Sequence, residues 1–495
     1  MAVPSNRNIQ WIDVRDFSPG LWETGDWLLP AGAAQVLTDA YPQPGGGLRA
    51  WFKPSTLALT GVTTGQRIIG LFGYGTTHRT LGTSATDYYL VTYDNTTGVP
   101  RLYRFDQTDA AQTQWTLIRT WAAGNQAPKE ARFQAYTLAA GTKRIHVALG
   151  YSGTDTGIWA ANQADLTGVQ TFAKITGSIG TGPIAVHQSR LVEGRGSKVF
   201  FTDPGGENFS AATAGFVDVL PERNLSDNVS LLPVSPGDLI IAKAGAGWAS
   251  VQGDLTDPII RSGADSKSVG VDQALTDTGR GIAFISADGG IYLTEAGYSF
   301  ARIDEQLVPS VAPTPSPLDM VATGDLISHH EWLVTPRGYT FDFRTKAWFR
   351  SSFAFDSNAY VATLDRFNRQ VICAGHTPRE LYVYPMRESG SPSRANTYTW
   401  KSPTLRSPGG RQIEIREVQA AVKSYVGTSS VTVTVNGVAR SVTGIAAGTH
   451  HLAFLYRERA ETLDVQVVAS SGDTVTEAPS IEVVRIGQRP AHLIQ

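Results

Sequence analysis

Apolar and polar positions alternate with a period of two along most of the chain, in short runs rich in Val, Ile, Tyr, Phe and Thr that are separated by Gly, Asn, Asp and Pro. Residues 87–93, 101–105, 198–202, 281–286 and 431–435 are examples. The last reads Val-Thr-Val-Thr-Val and runs into Asn436-Gly437, the pair that a type I′ hairpin turn prefers because both of its central residues need a positive φ. The best helical candidate, 32–41, is only two to three turns long and ends against Pro42 and Pro44. The pattern predicts an all-β protein.

Between residues 61 and 385 the runs group into units of 40 to 50 residues, read as 61–121, 132–175, 184–219, 229–260, 280–303, 327–349 and 358–385. Repeated units of short strands predict a divergent β-propeller of six or seven blades, here given the bounds 51–386. Two turns carry local chemistry. In 201–209, Asp203 accepts backbone hydrogen bonds, Pro204 fixes φ and Gly205 supplies a positive φ. In 286–292, Asp288-Gly289 joins two apolar strands. Residues 387–394, Arg-Glu-Ser-Gly-Ser-Pro-Ser-Arg, read as a linker taken as 387–396, and 397–495 as an independent β-sandwich of short strands that include 412–417, 418–422, 463–468 and 481–486. Residues 1–50 lack strand periodicity and crowd Trp11, Phe17, Leu21, Trp22 and Trp27 among Asp, Gly and Pro. Large aromatics in an irregular arm either pack on their own chain or anchor a neighbouring subunit, and these five are the candidate interface residues.

Composition narrows the partners. A net charge of −2 gives no bulk attraction to nucleic acid, no run of five like charges forms a tail, and the basic residues are mostly Arg, whose planar fork suits protein interfaces. One cysteine, Cys373, in the apolar run 370–375, excludes a disulfide framework and a thiolate metal cluster, and reads as a small buried hydrophobe. The first ten residues carry no apolar secretory core and no apolar stretch is long enough for a membrane helix, so neither secretion by the usual route nor a membrane span is expected.

Two sets of residues carry a family resemblance. Residues 12–22, Ile-Asp-Val-Arg-Asp-Phe-Ser-Pro-Gly-Leu-Trp, are similar to the Asp-Phe-Ser-Gly-Gly-Leu-Trp opening of many phage tail and minor tail proteins, departing from it at Pro19. Farther on come Arg190-Leu191, Lys-Val-Phe-Phe-Thr-Asp-Pro-Gly at 198–205, Leu-Ile-Ile-Ala-Lys at 239–243, Val-Gln-Gly-Asp at 251–254 and the Ser-Ala-Asp-Gly-Gly turn within 281–292. Their order over 190–306 resembles the propeller of podoviral tail nozzle proteins. The resemblance implies a structural virion protein, made in the cytoplasm of the bacterial host. It would form a ring with copies of itself, commonly a hexamer, below the head-to-tail adaptor and beside other tail proteins, with DNA only in transit; the net charge of −2, with Lys and Arg interspersed among Asp and Glu, makes a neutral to acidic lumen the expectation for such a ring. A minor tail protein of a long-tailed phage and a glycan-binding propeller on the virion surface are the alternatives.

Catalytic patterns were sought and set aside. Ser286-x-Asp288-x-Gly290 matches part of an Asp-box, but Tyr292 and Leu293 replace its end, and none of the many carboxylate pairs is singled out for glycoside hydrolysis. His329-His330-Glu331 and His450-His451 place neighbours on opposite faces of a strand, which suits no shared metal. Gly70-x-x-Gly73-x-Gly75 reads as a turn with no helix behind it to hold a phosphate. Asn95-Thr-Thr and Asn208-Phe-Ser are glycosylation sites in form only without a secretory route. No enzyme, cofactor or metal is expected.

Overall fold

In a computed structural model, strands account for nearly all the regular structure among the described residues, the single 3₁₀ turn Glu305–Leu307 aside. The structure describes all residues except 1–8, 21, 23–32, 54, 78–83, 107–114, 125–130, 151–153, 163–170, 212–213, 220–226, 235–236, 244–246, 263–274, 287–289, 295–299, 308–325, 330, 336–337, 352–359, 366–369, 376–380, 385–393, 407–411, 473–476 and 491–495.

The alternation seen in the sequence becomes alternation across sheets. In Ser429–Val435, Val431, Val433 and Val435 are fully buried while the threonines between them are half-buried, and the strand turns back through Asn436 (φ 48°) and Gly437 (φ 80°) into Val438–Ile445. Both turn residues are left-handed, as the type I′ hairpin requires.

Among the described residues between 55 and 384, seven groups of four antiparallel strands follow one another: 67–120, 132–174, 184–218, 228–262, 275–302, 327–350, and 360–384 completed by Ser55–Leu57. They are called sheets 1 to 7 here. Each sheet is a meander whose strands pair with their sequence neighbours. The first strand of each sheet lies beside the first strand of the next, from Arg67–Thr77 through to Tyr360–Asp365, which returns to Arg67–Thr77. The first strands thus form a closed circuit, with the remaining strands running outward. Its seam is closed by a pairing distant in sequence, Leu57 opposite Leu381 and Ser55 opposite Val383. The fifth sheet starts earlier than the unit read from the sequence, because Leu275–Asp277 pairs with Ile282–Ile285.

Beyond the circuit lie two large sheets. One has six strands: Ala40–Pro42, Leu48–Ala50, Ser480–Pro490, Ile413–Ser424 and Gly448–Ala460 in that order, with Gln10–Val14 also on Ser480–Pro490. We call it the outer sheet. The other is nine strands long, because Val36–Thr38 is wedged between Ala347–Arg350 of sheet 6, in parallel, and Thr397–Lys401, antiparallel. The two sheets bury one core that includes Val418, Val422, Phe454, Val484 and Ile486 from the outer sheet and Trp400, Val431, Val433 and Val467 from the long one. Hydrogen bonds tie the layers, with Tyr456 donating to the Val433 carbonyl at 2.6 Å and Tyr398 to that of Pro479 at 2.7 Å.

Several expectations change here. Residues 33–50 are neither irregular nor helical: Asp39, at φ 60°, turns the chain between Val36–Thr38 and Ala40–Pro42, where a helix over 32–41 had been the best candidate. Segments 412–417 and 418–422 are one strand, Ile413–Ser424, kinked by a bulge between Ile415 and Glu417. Gly70, Gly73 and Gly75 lie inside the strand Arg67–Thr77 and not in a turn. A Cβ on Gly70 would sit 2.7 Å from that of Ala131, so the glycine lets sheets 1 and 2 approach.

An aromatic cluster joins the circuit to the two large sheets. Trp51 lies 4.6 Å from Phe349, 5.4 Å from Trp332 and 5.7 Å from Tyr41, mostly edge to face. Arg394, buried at 2% exposure, packs over Phe52 at 4.6 Å, donates to the Ala50 carbonyl at 2.9 Å and faces Glu477 at 3.6 Å. Residues 387–393 of the expected linker 387–396 lie outside the described residues, but Arg394 within it is part of this packed junction.

Candidate functional site

The turn at 201–209 is a joint between sheets 2 and 3. Gly205, at φ 70°, comes so close to the neighbouring sheet that an added Cβ would lie 2.6 Å from the Cβ of Ala139. That approach seats Glu207 between Arg144 at 2.5 Å and Nε2 of the buried His146 at 2.6 Å, while Tyr136 donates to the Ser189 carbonyl at 2.7 Å. Every member has a partner, so the cluster holds two sheets together. Sheets 3 and 4 meet in a similar way through Arg190, which donates to the Thr202 carbonyl at 2.7 Å and reaches Asp254 at 3.6 Å. Beside it His187 is 3% exposed, and its Nε2 has no hydrogen-bond partner among the described residues. Burial pushes the His187 imidazole below its usual pKa, against the attraction of Asp238 and Asp254.

The other motifs give no chemistry. The strand Ile282–Ile285 reaches the turn through Ser286, whose N–H donates to the Gly290 carbonyl at 2.8 Å; Asp288 and Gly289 lie outside the described residues. His450 bonds the Ala446 carbonyl at 2.8 Å and His451 is exposed on the opposite face, as adjacent strand residues must be. The side chains of His329, His330 and Cys373 lie outside the described residues. Among the described residues there is no group of three or more His, Cys, Asp or Glu placed to hold a metal ion, and no helix long and apolar enough to cross a membrane.

The five aromatic and apolar residues of 1–50 do not form one patch. Phe17 is buried at 1% exposure, its ring perpendicular to that of Trp400 at 5.6 Å, so it belongs to the core between the two large sheets; the interface reading is corrected for it. Trp22 is half-buried, donating its indole N–H to the Pro19 carbonyl at 2.8 Å and its backbone N–H to that of Ala34 at 2.7 Å. Leu21 and Trp27 lie outside the described residues. Among the described residues of this set, Trp11 points outward. It sits in Gln10–Val14 opposite Gly487, on the face of the outer sheet turned away from the core, and remains 36% exposed. Gly487 is what makes room, since a Cβ there would lie 3.1 Å from the Trp11 ring.

Around Trp11 the outward face is charged and ordered. Arg485 lies 5.2 Å from the Trp11 ring centre and donates to Asp13 at 2.8 Å, a bond that holds the Asp13 carboxyl below its usual pKa. Glu414, at 1% exposure, is paired with Arg416 at 2.8 Å and Arg459 at 3.2 Å. Leu455, opposite Glu417, is 68% exposed. Sequence reading found Trp11 but not its surroundings, because the strands that supply them lie some 400 residues away.

No family model matches this chain, and no curated protein matches it. Solved structures give remote likenesses. YCF48 bound to a D1 peptide is 13% identical, with a TM-score of 0.42 over 69% of this chain and 97% of that one. YCF48 from Cyanidioschyzon merolae is 12% identical, with a TM-score of 0.41 over 68% and 99%. An exo-β-1,3-galactanase from Phanerochaete chrysosporium is 11% identical, with a TM-score of 0.29 over 96% and 100%. At these values the all-β fold rests on the strand pairings themselves.

Proposed function

We propose that the chain is a structural, non-enzymatic subunit of a bacteriophage tail, a seven-bladed β-propeller fused to a C-terminal β-sandwich, acting as a ring of copies below the head-to-tail adaptor. The observation that carries the reading is mechanical. Strand Val36–Thr38 joins sheet 6 to the sandwich in one nine-stranded sheet, and Ser55–Leu57 closes the circuit. Force on the sandwich is therefore borne by backbone hydrogen bonds and a buried aromatic junction and not by a loose linker, a build that suits a load-carrying conduit. The order of motifs over 190–306 that resembles tail nozzle proteins supplies the setting: a ring, commonly sixfold, through which DNA passes without being held.

Single-particle reconstruction of the purified full chain, alone and with the adaptor, tests the reading. A closed ring with an opening for a duplex of about 20 Å, consistent with the groove dimensions of B-DNA, supports it. A monomer at all concentrations, or a ring without an opening, overturns the conduit. Release of reducing sugar from host polysaccharide, abolished by replacing one particular Asp or Glu, would overturn the non-enzymatic part.

A further inference from the structure

The first hairpin turn of sheet 3 is gripped from both neighbouring sheets. Ile184–His187 turns into Arg190–Arg195 through Gln188 (φ 46°) and Ser189 (φ 58°), a two-residue turn that sets His187 directly opposite Arg190. From sheet 2, Tyr136 donates to the Ser189 carbonyl at 2.7 Å, near the cluster of Arg144, His146 and Glu207. From sheet 4 comes the turn 253–257. Its Gly253 backbone hydrogen-bonds the His187 imidazole, Asp254 reaches Arg190 at 3.6 Å, and Leu255, 2% exposed, enters the core that sheets 3 and 4 share.

The charges that face His187 come from three places. Arg190 stands on its own hairpin, its guanidinium over the Phe201 ring at 5.2 Å and bonded to the Thr202 carbonyl. Asp238 opens the second strand of sheet 4, where Gln252 donates to it at 2.8 Å. Asp254 is 58% exposed at its side chain, so water and salt weaken its pull. Burial holds the imidazole below its usual pKa, and the two carboxylates offset this in part. A neutral ring suits the pocket. An imidazolium would carry a second N–H donor on Nε2, which has no hydrogen-bond partner among the described residues, and would place a second cation beside Arg190 at a site that water barely reaches.

We infer that residues 187–190 and 253–257 form an acid-sensitive joint, in which protonation of His187 separates the turn of sheet 4 from sheet 3 without unfolding the sandwich. Opening lets the imidazolium reach water and uncovers Leu255. The hairpin stays bonded to sheet 2 through Ser189, so the circuit of sheets yields at one seam. The joint lies within a single chain and does not depend on assembly.

Amide exchange of the full chain, followed by mass spectrometry from about pH 7.5 to about pH 5 with each rate divided by its intrinsic rate, reads the opening. Peptides covering 184–190 and 247–257 should open on the order of threefold or more as pH falls below about 6.5, while Ser429–Val435 stays closed. His187→Gln, neutral throughout, should abolish the rise. Asp254→Asn should enlarge it, because the closed joint then holds the imidazolium with one carboxylate fewer, a response that a merely structural His187 would not give. A rise shared by all seven sheets, or one that survives in His187→Gln, overturns the inference and passes the response to general unfolding or to His146. An absent rise, or one that is unchanged or reduced in Asp254→Asn, overturns it as well.

Discussion

Replacing Phe17 by alanine separates an arm that belongs to the core from one that waits for a neighbour. Phe17 is 1% exposed and meets Trp400 edge to face at 5.6 Å, so truncation removes a buried ring and leaves a cavity between two packed sheets. That costs about 3–5 kcal/mol, of which the ring pair accounts for about 0.5–1.5 kcal/mol. Trp11, larger but 36% exposed, lies on Gly487 beside Arg485, and Trp11→Ala should cost about 1 kcal/mol or less. Calorimetry gives the midpoints, and amide exchange of Ser480–Pro490 shows whether the outer sheet loosens. Equal shifts for the two variants, or a cost below about 1 kcal/mol for Phe17→Ala, would refute the assignment of Phe17 to the core. By the same logic, deleting residues 1–30 removes the strand Gln10–Val14 as well as Phe17, so the truncated chain should be destabilised at the outer sheet.

Gly205→Ala should destabilise by roughly 2 kcal/mol or more, since φ is 70° and the new methyl would meet Ala139; Gly437→Ala, at φ 80° with nothing within 4 Å, should cost only the backbone term, about 1 kcal/mol, and urea midpoints of the two compare them directly. His187 is held neutral, with its folded pKa below the ordinary 6.5, so its contribution is intact above that value and is lost as pH falls from there through the folded pKa. The pH dependence of unfolding in that window should flatten in His187→Gln; an unchanged slope would place the titration elsewhere. Raising salt should change the melting temperature little, because the Glu414 carboxylate that Arg416 and Arg459 share is itself buried and weakly screened; calorimetry over a salt series checks it.

The legible parts of the fold were those written locally. Val431 to Gly437 specify a hairpin by alternation and turn chemistry within seven residues, and the sheets at 132–174 and 184–218 end within a residue of the units read from the sequence. What escaped was written across the chain. Val36–Thr38 and Ser55–Leu57 are three residues each, too short to show a period, and they become strands only because Trp400 and Leu381 lie opposite Leu37 and Leu57. Their helix-compatible or irregular local preference is overridden by pairing. Gly70 misled for a related reason: a glycine demanded by the close approach of another sheet looks, from its neighbours alone, like one demanded by a turn. Of the candidate site, the aromatic character of Trp11 was readable, whereas its exposure depends on Gly487, far along the chain.

Charge shows the same division between local and global. A total of −2 conceals a segment of −8 at 201–300 and, over 397–495, ten Lys and Arg against eight Asp and Glu, which leaves 32 against 36 for residues 1–396. A partner does not feel the total. Screening confines each exposed charge to about 8–10 Å at physiological salt, so a surface meets only the charges within its own footprint. The outward face of the outer sheet brings together basic residues from three strands, Ile413–Ser424, Gly448–Ala460 and Ser480–Pro490. Only the fold sets Arg459 and Arg489 on either side of Glu414 from its two neighbouring strands, so the charge at any one place on the surface is decided by strand pairing and not by the total.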